Sequence, residues 1–214
     1  MLLAEELLLL LVPRTARRMP SFCGTHAALA AAVLVELAGT EQLTITGDRV
    51  TLRRGGGHPF APDLDTATLD RAITYTGIGL YPALLGGLTD QGALTRSNTW
   101  RGKPVWRLND EPRRAALVAE LDAALADDVP PTPRTGALCG LLHSLGAIDL
   151  LFWRVESAGR ARAGRLARES WPVRAFTEIV AECDRSSVDL PGVLALDDRQ
   201  QQPVRPSAPP SPSP

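Results

Sequence analysis

Gly92-Ala93-Leu94-Thr95-Arg96-Ser97-Asn98-Thr99-Trp100-Arg101-Gly102-Lys103-Pro104-Val105-Trp106-Arg107-Leu108 is the stretch that decides the fold. Two short arms, Thr95 to Trp100 and Pro104 to Leu108, flank a turn at Arg101-Gly102-Lys103, and this pattern predicts a β-hairpin. Leu80 to Leu88 just upstream keeps apolar residues at helical spacing, with Pro82 near its start and Gly86-Gly87 near its end. A helix that stops near Gly92 and feeds a hairpin is therefore the local unit, and the rest of the chain has to supply what it packs on.

Most of that remainder reads as helix. Glu5 and Glu6 precede an apolar run from Leu7 to Val12, as suits a helix N-terminus. The run lacks the basic start and small-residue cleavage site of a signal peptide and is far short of a membrane span, so a short buried helix is expected. Pro13 ends it. A second helix is expected from Thr25, as N-cap, to Ala38, and its apolar run Ala27 to Leu37 belongs at the centre of the core. Leu43 to Thr46 and Arg49 to Leu52 alternate around Gly47-Asp48, a first hairpin. Arg53 to Pro59 is a glycine-rich loop without the Lys and Ser/Thr of a P-loop.

Asp65 or Thr66 is the expected cap of a helix through Leu69, Ala72 and Ile73, interrupted at Gly77 and Gly79. Pro112 opens a helix through Leu117, Leu121 and Leu125, and Pro130-Pro131-Thr132-Pro133 breaks it. Thr135 to Phe152 reads as one apolar helix, Arg160 to Arg168 as a basic one, and Trp171 to Cys183 as an amphipathic one. The expected fold is mainly α: a compact helical domain over residues 1–188 with two β-hairpins, then a Pro-rich disordered tail over 189–214.

Composition narrows the function. The chain has 214 residues, 44% hydrophobic and 22% charged, with a net charge of −1, so it is not a generally basic protein that coats nucleic acid. Cys23, Cys139 and Cys183 form no zinc pattern and no disulfide framework, which suits a reducing cytoplasm. Lys103 is the single lysine among 23 basic residues. That arginine bias, with the many alanines, points to a GC-rich and bacterial genome. No metal, cofactor or catalytic centre is expected. His143 has no second ligand three or four residues away and reads as a core histidine, and Ser144 lies in no nucleophile elbow.

The cations gather locally instead. Arg96, Arg101, Lys103 and Arg107 put four positive charges and no acid on the second hairpin, beside Trp100 and Trp106 on its two arms. Indole and cations suit a bilayer surface. Equally, a tryptophan there can pack on the body with the cations merely solvated. Arg14, Arg17 and Arg18 form a basic first loop with Phe22, and Arg162, Arg165 and Arg168 share a helix face. A helix followed by a basic hairpin also suits a winged helix that binds nucleic acid, but Leu80 to Leu88 has no base-reading side chain, which argues against that partner. A homo-oligomer through the hairpin is the remaining alternative.

Several segments, in order, resemble the Golgi phosphoprotein 3 family: Leu3-Ala4-Glu5-Glu6-Leu7-Leu8, Leu34-Val35-Glu36-Leu37-Ala38 before a hairpin, Leu69-Asp70-Arg71-Ala72-Ile73, Leu85 to Leu94 before the second hairpin, and Pro133-Arg134-Thr135-Gly136-Ala137-Leu138 on to Phe152. The resemblance covers about residues 1 to 185. It implies a non-catalytic, cytoplasmic adaptor, peripheral on the inner face of a membrane, that binds phosphatidylinositol 4-phosphate or another anionic phospholipid headgroup. It places the headgroup beside Phe22 and the membrane or partner contact on the second hairpin. The three arginines of the family's pocket fall at Ala30 and near Ile78 and Tyr81, so this chain departs from the pattern there. Arg14, Arg17 and Arg18 are the candidate substitutes, because guanidinium suits phosphate; the alternative is a simply exposed basic loop.

Overall fold

The computed structural model describes residues 1–13, 24–46, 49–53, 58–61, 66–126, 130–152, 157–170, 173–174 and 177–178. The Gly47-Asp48 turn, the glycines of the loop after Arg53, most of the expected Trp171 to Cys183 helix and the Pro-rich tail lie outside the described residues.

Two helices form the centre. α1, Leu3–Leu11, buries every leucine from Leu7 to Leu10 completely. α2, Thr25–Gly39, buries Ala28 to Leu34 and Leu37. Both are apolar on nearly all sides because other elements surround them, the pattern expected of a helix inside a core rather than on its surface. Each fully buried leucine contributes about 1.5–3 kcal/mol relative to exposure. α2 begins one residue earlier than the sequence suggested: Gly24 is the N-cap, at φ +83°, and Thr25 is already helical.

β1, Leu43–Thr46, and β2, Arg49–Leu52, pair antiparallel with Ile45 opposite Val50, as expected. The sheet has a third strand, β3, Thr66–Thr68, which pairs with β2. The cap expected at Asp65 or Thr66 is therefore Thr68, the residue before α3, Leu69–Gly77. The Thr68 hydroxyl lowers the Asp70 pKa, while burial opposes it. Thr68 ends the strand and begins the helix, and its hydroxyl serves the Asp70 carboxylate rather than a helix amide.

α4, Leu80–Asp90, starts after Gly79 at φ +68°. β4, Leu94–Asn98, and β5, Pro104–Leu108, form the second hairpin. α5, Glu111–Leu125, is capped by Asp110, whose carboxylate accepts from the Arg113 amide. α6, Pro133–Ser144, is capped by Thr132.

The single helix expected from Thr135 to Phe152 is in fact two. Gly146 at φ +66° breaks it, and α7, Ile148–Leu151, follows. His143 falls at this break and is exposed, so the core histidine expected there is corrected to a surface one. α8, Ser157–Glu169, packs against α6 through small residues. A Cβ at Gly140 would lie 2.7 Å from Ala167 Cα and 2.9 Å from Val173 Cγ1, so only glycine fits this crossing.

Polar bonds fasten the apolar centre. Arg134 Nε donates to Glu6 at 2.9 Å, its Nη1 to Glu36 at 3.2 Å and its Nη2 to the Met1 carbonyl at 2.8 Å. The buried Arg114 donates to the Leu10 carbonyl at 3.1 Å, a cation at the C-terminal end of α1. Sequence reading singled out neither arginine, because nothing local marks a partner about a hundred residues away. No described helix is long and apolar enough to cross a membrane.

Candidate functional site

The second hairpin is held at its base and free at its tip. Leu94 and Leu108 face each other and are buried, and Val105 is buried nearby. Asn109 fixes the base: its amide nitrogen donates to the Gly92 carbonyl at 3.2 Å and to the Thr95 hydroxyl at 2.6 Å. Gln91, next to Gly92, donates to Glu5 of α1 at 2.9 Å, which ties the helix–hairpin junction to the core.

The turn spans Thr99 to Lys103. The Thr99 amide donates to the Lys103 carbonyl, and the Gly102 amide to the Thr99 carbonyl, both at 2.8 Å. The Lys103 amide donates to the Thr99 hydroxyl at 3.1 Å. Gly102 sits at φ +75°, a conformation that favours glycine. β4 ends at Asn98, so Trp100 belongs to the turn and not to an arm as expected.

The two tryptophans consequently separate. Trp100 is 88% exposed at the turn, with the Arg101 guanidinium 4.5 Å above its ring. Trp106, on β5, is half-buried against the core, with Arg96 directly opposite it and 6.0 Å from its ring. One indole is an anchor to the body and the other projects. Arg96, Arg101, Lys103 and Arg107 have no acidic partner among the described residues.

A groove of about 290 Å³ runs between α4 and this hairpin. Tyr81, Leu85, Thr89 and Asp90 line one side, and Arg96 and Trp106 the other. Tyr81 packs against His26 of α2, with ring centroids 5.0 Å apart and the planes tilted by 51°.

The positions where the resemblance expects pocket arginines are filled otherwise. Ala30 is fully buried where α2 meets α3, close to Gly77. Ile78 is 59% exposed between α3 and α4. Tyr81 is half-buried against His26. Arg14, Arg17, Arg18 and Phe22 lie outside the described residues, as does Cys23. On α8, Arg165 and Arg168 are exposed, Arg162 is half-buried, and Arg160 is paired with Asp149 at 2.6 Å.

Cys139 is buried on α6, and that burial, followed by the Glu120 charge, pushes its thiol up to about 12, far from a nucleophile's range. Among the described residues no group of three His, Cys, Asp or Glu is placed to hold a metal ion.

A mainly helical body with a small sheet, carrying a basic hairpin tipped by one projecting indole, is the class of protein this arrangement defines. That class has a family. The chain belongs to the Golgi phosphoprotein 3 family (GPP34), whose model matches residues 3–183. No curated protein matches the chain significantly.

Proposed function

We propose that this chain is a non-catalytic, adaptor-like protein that docks on a membrane surface through its second hairpin and binds anionic lipid. Phosphatidylinositol 4-phosphate is the headgroup that the family suggests. Trp100 enters the headgroup layer, while Arg96, Arg101, Lys103 and Arg107 meet anionic lipid. The observation that carries this reading is the exposed Trp100, set among cations that have no acidic partner among the described residues. Indole prefers the interface of a bilayer, and each nearby cation adds about 1 kcal/mol. The first-loop residues Arg14, Arg17, Arg18 and Phe22 serve the headgroup beside it. Docking places the protein on the cytoplasmic face of a membrane, held peripherally.

Flotation with vesicles of neutral lipid, with added anionic lipid and with added phosphatidylinositol 4-phosphate tests this. Wild type floats with the anionic vesicles only. The paired change Trp100→Ala/Arg101→Ala weakens binding by about tenfold or more, given roughly 1 kcal/mol for the cation together with the indole's contribution. Arg17→Ala/Arg18→Ala weakens it further if the first loop contributes. Unchanged flotation of the Trp100/Arg101 variant overturns the hairpin's role. Binding to DNA at physiological salt without binding to vesicles overturns the whole reading.

A further inference from the structure

We infer that the groove between α4 and the second hairpin receives a zwitterionic phosphoethanolamine headgroup from the membrane, its phosphate on Arg96 and its ammonium on Asp90. The inference rests on the membrane-docked reading above, because docking brings headgroups to the mouth of this groove.

Three features of the groove point to a ligand with both charges. First, it holds one cation, Arg96, and one anion, Asp90, and the two are not within ion-pair distance of each other. Neither has an oppositely charged partner among the described residues. Second, Asp90 is the last residue of α4, and no basic residue lies in that last turn. A carboxylate at the negative end of a helix is unfavourably placed, and a cation in the groove offsets both charges. Third, the wall between them is apolar and aromatic, with Leu85, Tyr81 and the half-buried Trp106. A primary ammonium donates hydrogen bonds to Asp90, which a quaternary ammonium cannot do. A guanidinium takes a phosphodiester in a fork.

The same charges argue against a headgroup with an additional phosphate, since Asp90 repels it. The Thr89 hydroxyl does not change this balance, because it already donates to the Leu85 carbonyl at 2.7 Å. The groove therefore selects among neutral lipids, while the hairpin cations respond to anionic ones.

The experiment uses the full chain and vesicles with a fixed share of phosphatidylglycerol, the rest being phosphatidylethanolamine or phosphatidylcholine. Wild type binds the ethanolamine vesicles about fivefold better, the size of one exposed charge pair. Asp90→Asn removes that preference and keeps binding to phosphatidylglycerol–phosphatidylcholine vesicles. Equal binding of wild type to both vesicles, or a preference that survives Asp90→Asn, overturns the inference.

A second measurement needs no membrane. Soluble glycerophosphoethanolamine shifts the indole N–H resonance of Trp106, assigned by Trp106→Phe, and Asp90→Asn or Arg96→Gln abolishes the shift. No shift in wild type, or an equal shift with glycerophosphocholine, overturns the groove assignment. If wild type binds no anionic vesicle at all, the docking reading fails, and this resonance alone decides the groove.

Discussion

Arg134 joins the two ends of the core at the scale of single residues. Burial alone would lower its pKa, but the Glu6 carboxylate and then Glu36 outweigh that and raise it. On Glu36 the balance is similar: burial opposes ionisation, yet the nearby His58, the Leu3 amide and Arg134 hold its carboxyl below the usual 4.5. His58 Nε2 lies 3.6 Å from Glu36 Oε2. Arg134→Ala leaves two largely buried carboxylates facing each other without their cation. Arg134 itself is 38% exposed, so screening moderates the loss to about 1–2 kcal/mol, read from urea denaturation. The sign of the pH effect follows from the lowered pKa. Glu36 is protonated more readily in the unfolded chain, so its stabilisation is present above pH 4.5 and is lost as pH falls through its folded value. Urea midpoints measured at neutral pH and below pH 4.5 differ in wild type. Glu36→Gln lowers the neutral value and narrows the difference.

Whole elements show where sequence reading succeeds and where it stops. The buried α1 and α2 were legible because an apolar run with no polar face has only one place to go. The second hairpin was legible from alternation around Gly102. What was not legible depended on distant partners. β3 has three residues and is a strand only because β2 lies beside it. Gly146 resembles a tolerated helix glycine until its φ of +66° is seen, and His143, in the last turn of α6 before that break, faces outward. Trp100 moved from arm to turn because the strand pairing ends at Asn98 opposite Pro104, and the Thr99–Lys103 bonds close a turn that holds Trp100, Arg101 and Gly102. Two substitutions test the element packing. Gly140→Ala drives a methyl into the backbone of α8 and costs about 1–3 kcal/mol, seen as a lower thermal midpoint. Ala30→Arg, which restores the arginine of the family pocket, forces a charged chain between α2 and α3. It destabilises the fold by several kcal/mol, on the order of a buried unpaired charge, and yields no gain in phosphoinositide binding.

For the molecule as a whole, a net charge of −1 conceals a strongly polarised distribution. Four cations with no acidic partner among the described residues occupy one hairpin, while three acids, Glu5, Glu6 and Glu36, are engaged elsewhere in bonds that hold the core together. That division has a consequence for docking. Four cations near an anionic surface add at most about 4 kcal/mol, and this attraction decays over a Debye length of about 10 Å at 0.1 M salt. The Trp100 indole contributes an apolar part that salt does not screen. Vesicle binding therefore falls as salt rises but levels off above zero, and the two parts separate by mutation. Arg101→Gln/Lys103→Gln flattens the salt dependence and lowers affinity at low salt. Trp100→Ala lowers affinity by a similar factor at every salt concentration and leaves the slope unchanged. Co-sedimentation of wild type and both variants from low to high salt measures this. An identical slope in wild type and the Arg101/Lys103 variant would mean that the hairpin cations do not face the lipid.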